Sequence, residues 1–101
     1  MKKVKKIAFI GIGLINSSLA RDLKDLGFYE KSVAFSRTKK TRNVLKKLKI
    51  VDKVEDNYIN TVKEADIVII GVPVEAFAVV IKKISMHLKE GAIVTDVGSV
   101  K

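Results

Sequence analysis

Apolar runs and helical stripes alternate along the chain, and their order predicts an α/β fold. Ile7-Ala8-Phe9-Ile10, led in by Lys5 and Lys6, is unbroken apolar sequence, the pattern of a parallel strand whose sheet is covered on both faces. Gly11 and Gly13 come next, and Leu14, Leu19, Leu23 and Leu26 then recur at roughly helical spacing as far as Gly27, a residue suited to ending a helix. Phe28 to Lys31 reads as a link into a second short strand, Ser32-Val33-Ala34-Phe35-Ser36. Thr38 or Thr41 is placed to cap a helix running through Val44, Leu45 and Leu48 to about Lys49, with lysines outward. Ile50 to Val54 leads towards Glu55-Asp56-Asn57, where a short third strand or an irregular segment is expected. A brief helical turn around Thr61 to Glu64 follows. Ile67 to Val72, ended by Pro73, is the second long apolar run; its β-branched residues predict a fully buried strand beside the first. Ala76 to Leu88 carries an apolar stripe at Phe77, Val80, Ile81, Ile84 and Leu88, Gly91 closes it, and Ala92 to Val97 forms a last strand. The sum is a three-layer αβα domain, doubly wound around a mainly parallel sheet of about five strands.

The turn after the first strand carries the chemistry. Strand, glycine turn and helix are the parts of a nucleotide-binding βα unit in their required order. Gly11 can take the tight turn. Gly13 has no Cβ to keep a pyrophosphate from the N–H groups at the helix start, around Leu14, Ile15 and Asn16, where the helix dipole favours an anion. A full GxGxxG has glycine where Asn16 stands; that glycine serves close helix–strand packing, and a slight helix shift accommodates a small polar residue. The reading is a Rossmann-type dinucleotide-binding domain. At the tip of the second strand, about 20 residues beyond the turn, an Asp or Glu would accept from the ribose 2′-hydroxyl and repel a 2′-phosphate. Ser36-Arg37-Thr38-Lys39-Lys40 stands there instead. Arg37 can stack on adenine and bond a phosphate, and Ser36 and Thr38 can donate to it. NADP is therefore favoured as cofactor, with NAD the alternative. Pairing of the two long apolar strands puts a topological switch point at their carboxyl ends, where Val72 and Pro73 would wall the cofactor.

Composition narrows the function classes. The chain has 101 residues, 48% hydrophobic and 31% charged, which suits a single domain with a real core. No apolar run approaches the roughly 20 residues of a membrane span, and the MKKVKKIAFIGIG start lacks a cleavage site. The expectation is a cytoplasmic protein without membrane contact. There is no cysteine and one histidine, which removes disulfides, thiolate catalysis and multi-histidine metal sites. The formal charge of +9 comes largely from lysine doublets spread along the chain without interleaved aromatics. They read as solvated helix faces rather than a nucleic-acid surface, while still attracting an anionic cofactor or a dicarboxylate substrate. Glu55, Asp56, Glu64 and Asp66 read as solvated turn residues, and His87 as a structural cation in a helix's last turn.

Taken in order, GIGLINSSLA, IVIIGVPVEA and IVTDVGSVK make the chain resemble, over essentially its whole length, the N-terminal cofactor domain of prephenate and arogenate dehydrogenases. Thr95 to Lys101 is the motif most particular to that family; the others occur throughout 6-phosphogluconate-dehydrogenase-like domains. The resemblance implies an oxidoreductase of tyrosine biosynthesis that oxidises and decarboxylates prephenate or arogenate. It gives Ser99 a catalytic position between the nicotinamide and the substrate hydroxyl, and a hydroxyl can accept from one while donating to the other. Enzymes of this family continue past GSVK with a general-base histidine, further strands and a helical domain that completes the substrate pocket and forms the homodimer. This chain is accordingly read as an N-terminal part, expected to bind cofactor without turning over alone. It departs from the family at Asn16 and at Ser36-Arg37, where many members have an acidic strand end. The alternatives are a stand-alone nucleotide-sensing module or another reductase of the wider group.

Overall fold

The computed structural model describes residues 4–11, 21–22, 25–27, 29–49, 51–72 and 74–96. Their strands are β1 (Val4–Ile10), β2 (Tyr29–Phe35), β3 (Lys53–Val54), β4 (Ile67–Ile70) and β5 (Ile93–Asp96); the helices are α1 (Lys39–Leu48), α2 (Tyr58–Val62) and α3 (Val74–Ile84). The strands form one sheet in the order β3-β2-β1-β4-β5, parallel at every pairing. Successive strands run outward from β1 on one side and then on the other, which is the doubly wound topology expected. The helix expected between β1 and β2 lies mostly outside the described residues. Arg21, Asp22 and Asp25 are helical, Leu26 N–H donates to the Asp22 carbonyl at 3.1 Å, and Gly27 leaves with φ 67°.

Side chains of the central strands alternate between two apolar layers. Ile7, Phe9, Ala34 and Ile69 pack with Leu45 of α1 and with Tyr29 and Val51 on one face. Ala8, Ile10, Val33, Val68 and Ile70 pack with Val62, Ala65, Val80 and Ile84, beneath α2 and α3, on the other. Ile7, Phe9, Val33 and Ile70 are fully buried in these layers; each such side chain contributes about 1.5–3 kcal/mol of transfer free energy. This is why β1 and β4 read as continuous apolar sequence rather than as alternation.

Element ends differ from the sequence reading wherever hydrogen bonding overrides apolarity. β1 begins at Val4, paired with Tyr29, and not at Ile7. β2 likewise starts at Tyr29 and takes in residues read as a link, because their partners on β1 hold them although Glu30 and Lys31 are exposed. Lys5 and Lys6 stay in the strand because their N–H groups donate to Asp66 Oδ2 at 2.8 and 3.2 Å. Lys6 Nζ also donates to the carbonyls of Asn60 and Lys63, at the end of α2. α2 starts earlier than expected, since Asn57 Oδ1 accepts from Asn60 N–H at 2.8 Å and caps it. α3 ends at Ile84, Ser85–His87 continues as a 3₁₀ turn, and Leu88 beyond it still packs against the core. Asp66, read as a solvated turn residue, is instead a junction: beside the two strand N–H groups it forms an ion pair with Lys89. Glu55 is also less solvated than expected, with a largely covered carboxylate 3.4 Å from Lys53 Nζ. Among the described residues no helix is long and apolar enough to cross a membrane.

Candidate functional site

The carboxyl ends of β1, β2 and β4 open onto one cavity of 540 Å³. Ile10 at the end of β1 with Gly11 after it, Phe35 at the end of β2 with Ser36 after it, and Gly71 and Val72 beyond β4 form its floor. One wall is the segment from Arg37 to Thr41; the other is α3, which turns Ala76, Val79, Val80 and Lys83 towards the cavity. This is the switch point at which the strand order reverses, and ligands of open α/β sheets bind in such a crevice.

Gly11 fixes the floor. Its N–H donates to the Phe35 carbonyl at 2.8 Å, and the Gly71 N–H donates to the Ile10 carbonyl at 2.8 Å, so the three strand ends are tied together there. Gly11 has φ 67°, and a β-carbon built on it falls 2.3 Å from Cγ1 of Val72. Glycine is thus required twice at this position, by backbone angle and by the closeness of Val72.

Charge and hydroxyls gather at the β2 end. Arg37 and Thr38 are exposed on the wall, Ser36 is buried at its base, and no carboxylate comes from this strand tip. Arg37 has no ion-pair partner among the described residues. Thr38 occupies the N-cap position of α1, as expected, but its side chain makes no capping bond. Arg42, one turn into α1, holds the loop from behind: its Nη1 donates to the carbonyl of Ser36 at 2.6 Å and of Arg37 at 3.3 Å. Lys83 Nζ lies over the Tyr58 ring, 5.4 Å from its centroid. Glu75 is the acidic residue of the lining, exposed in the first turn of α3. His87 is exposed past the end of α3 and does not line the cavity. The described residues hold no cluster of three or more side chains able to ligate a metal.

The displaced proton affinities belong to the opposite, amino-terminal end of the sheet. The Lys89 ammonium, followed by the strand N–H groups of Lys6 and Lys5, holds the Asp66 carboxyl below its usual value. Burial, and then Lys31, lowers Lys6, while burial raises Tyr29.

A sequence-family model described as "Prephenate dehydrogenase, nucleotide-binding domain" matches residues 19–101. The chain belongs to this family. Cyclohexadienyl dehydrogenase of Zymomonas mobilis is 37% identical over 101 residues, all of this chain and 34% of that protein. A solved prephenate dehydrogenase from A. aeolicus, in complex with hydroxyphenyl propionate and NAD+, superposes with a TM-score of 0.87 at 28% identity, covering 99% of this chain and 35% of that one. The arogenate dehydrogenase of Synechocystis gives 0.83 at 33% identity, over 95% and 34%. The chain therefore spans about a third of these relatives.

Within this prephenate dehydrogenase nucleotide-binding domain the described site brings together Gly11, Ser36, Arg37, Thr38 and Val72 of the residues singled out from sequence. Gly13, Leu14, Ile15, Asn16, Pro73 and Ser99 lie outside the described residues. Sequence reasoning missed Thr41, Tyr58, Val79, Lys83 and Arg42. A signal existed for one of them: Lys83 follows Ala76 and Val79 at helical spacing, which places all three on one face.

Proposed function

We propose that this chain is the cofactor-binding part of a dehydrogenase that oxidatively decarboxylates prephenate or arogenate, and that it takes NADP in preference to NAD. The observation that carries the reading is the cavity at the switch point, floored by Gly11 and walled at β2 by Arg37, with no carboxylate contributed by that strand tip. These residues fit a dinucleotide. Gly11 leaves room that a Cβ would fill, Val72 offers an apolar surface, and Ser36 and Thr38 supply hydroxyls next to the Arg37 cation. Arg37 would stack on the adenine and bond the 2′-phosphate, and Thr38 would donate to the same group. The N–H groups around Gly13, Leu14, Ile15 and Asn16 would receive the pyrophosphate, with Pro73 continuing the wall begun by Val72.

A bound nicotinamide supplies a hydride acceptor for the ring carbon that bears the substrate hydroxyl, and loss of carbon dioxide then makes the product ring aromatic. Ser99 would orient that hydroxyl, accepting from it while donating to the cofactor amide.

Calorimetric titration tests the cofactor reading. NADP is expected to bind more tightly than NAD, and Arg37→Ala to weaken NADP by about tenfold or more, as loss of a charge-assisted bond would, with little change for NAD. Equal affinities in the wild type, or tighter NAD, would refute the phosphate role. For the reaction, the intact protein is supplied with prephenate and with arogenate and nicotinamide reduction is followed; activity with neither overturns the assignment.

A further inference from the structure

Four side chains stand in a row beside the β2 end of the cavity. The Arg42 guanidinium lies 5.7 Å from the Phe35 ring centroid. The Phe35 and Tyr58 rings are 4.5 Å apart at 55°. Lys83 Nζ lies 5.4 Å from the Tyr58 centroid at the far end. The row connects α1, the tip of β2, the first residue of α2 and the last turn of α3. Phe35, Tyr58 and Lys83 line the cavity, whereas Arg42 does not. Its guanidinium donates to the carbonyls of Ser36 and Arg37, two residues that do line it.

That placement has a mechanical consequence. A peptide plane whose carbonyl is held by a charged donor cannot rotate freely, and two consecutive planes are held here. They flank the Cα of Arg37, so the direction in which the Arg37 side chain leaves the loop is set from behind. A guanidinium suits this task. It stays charged, its nitrogens are fixed in a plane that can rest on an aromatic face while pointing edge-on at acceptors, and a lysine ammonium cannot do both.

We propose that Arg42 is a positioning residue for the dinucleotide site: it fixes the loop of Ser36, Arg37 and Thr38 in the shape that receives the adenosine ribose and its 2′ substituent, acting through Arg37 without touching the ligand. This rests on the dinucleotide reading of the cavity. A residue that acts through another leaves a signature that a merely stabilising residue does not, because its effect disappears once the residue it positions has been removed.

The experiment is a double-mutant cycle in the intact protein, with NADP titrated into wild type, Arg42→Ala, Arg37→Ala and the double variant, and thermal unfolding recorded for each. Arg42→Ala is expected to weaken NADP about tenfold, and removal of Arg42 from the Arg37→Ala protein to change affinity less than about twofold. Arg42→Lys keeps a cation near Phe35 and serves as the second variant should Arg42→Ala not fold; it is expected to bind between Arg42→Ala and wild type and to show the same non-additivity. Wild-type affinity in both Arg42 variants, or losses that simply add to that of Arg37→Ala, would overturn the role of Arg42 while leaving the site reading in place. A folded wild type that binds neither NADP nor NAD would instead overturn the site reading on which it rests.

Discussion

Gly11 carries two separate costs against any other residue, and they can be measured apart. Its φ of 67° disfavours an L side chain by about 1–2 kcal/mol. A β-carbon 2.3 Å from Val72 Cγ1 adds an overpacking cost of about 1–3 kcal/mol. Gly11→Ala is therefore expected to lower unfolding free energy in urea by about 2–5 kcal/mol. Val72→Ala in that background removes the contact but not the backbone angle, so it should recover part of the loss and not all of it. A Gly11→Ala protein as stable as wild type would contradict both arguments. This residue was legible in the sequence because its conformational need is local: a glycine directly after an apolar strand. Its second reason was not, since Val72 lies sixty-one positions away and arrives only when β4 pairs with β1. Arg42 was illegible on similar grounds. It bonds main-chain carbonyls, and no residue type announces an acceptor that every residue possesses.

The short helix α2 and the longer α1 start in different ways, and that difference is testable. Asn57 accepts from the Asn60 N–H and its own carbonyl receives the Thr61 hydroxyl at 2.7 Å, so the first turn of α2 is closed by side chains. Thr38 stands at the start of α1 without a side-chain bond. Asn57→Ala is expected to cost about 1 kcal/mol and Thr38→Ala close to nothing; equal losses in chemical denaturation would show that capping is not what separates them. The pairing of the two long apolar strands was readable, because a buried parallel strand needs an apolar run. Strand and helix ends were not. Tyr29, Glu30 and Lys31 look like a link because two of the three are charged and exposed, yet the partner strand holds them in the ladder. Beyond Ile84 Leu88 still packs against the core as its place in the stripe suggests, but Ser85–His87 tightens into a 3₁₀ turn, so the α-helix ends before it.

Among the described residues, the Asp66 junction and the candidate site occupy opposite ends of the sheet. At the amino-terminal end Asp66 gathers the N–H groups of Lys5 and Lys6 and the Lys89 ammonium, while its own N–H donates to the Lys6 carbonyl and its carbonyl accepts from Ile93 N–H, both at 2.9 Å. One residue thereby joins β1, β4 and β5. The Lys89 ion pair and the strand N–H groups lower the folded proton affinity of Asp66. The sign follows from linkage. A carboxyl whose folded pKa is depressed adds stability that is complete above its unfolded value, near 4, and is lost as pH falls through the lower folded value. Asp66→Asn keeps an acceptor for the strand N–H groups and removes the charge. It is expected to cost about 1 kcal/mol at pH 7, a figure reduced for the partial exposure of the pair, and the gap from wild type should close as pH falls below about 4. Acid also leaves the formal +9 charge of the chain without its carboxylates, so both proteins lose stability together there through self-repulsion; the informative quantity is their difference, which cancels that shared term. A gap that persisted unchanged at pH 3 would mean that the ionised carboxylate is not what Asp66 contributes. The position of the residue adds a second constraint. Because Asp66 lies at the end of the sheet away from Gly11 and Arg37, the same substitution should leave dinucleotide affinity at pH 7 as it is in wild type, and a fall in affinity would mean that the two ends of the sheet are energetically coupled.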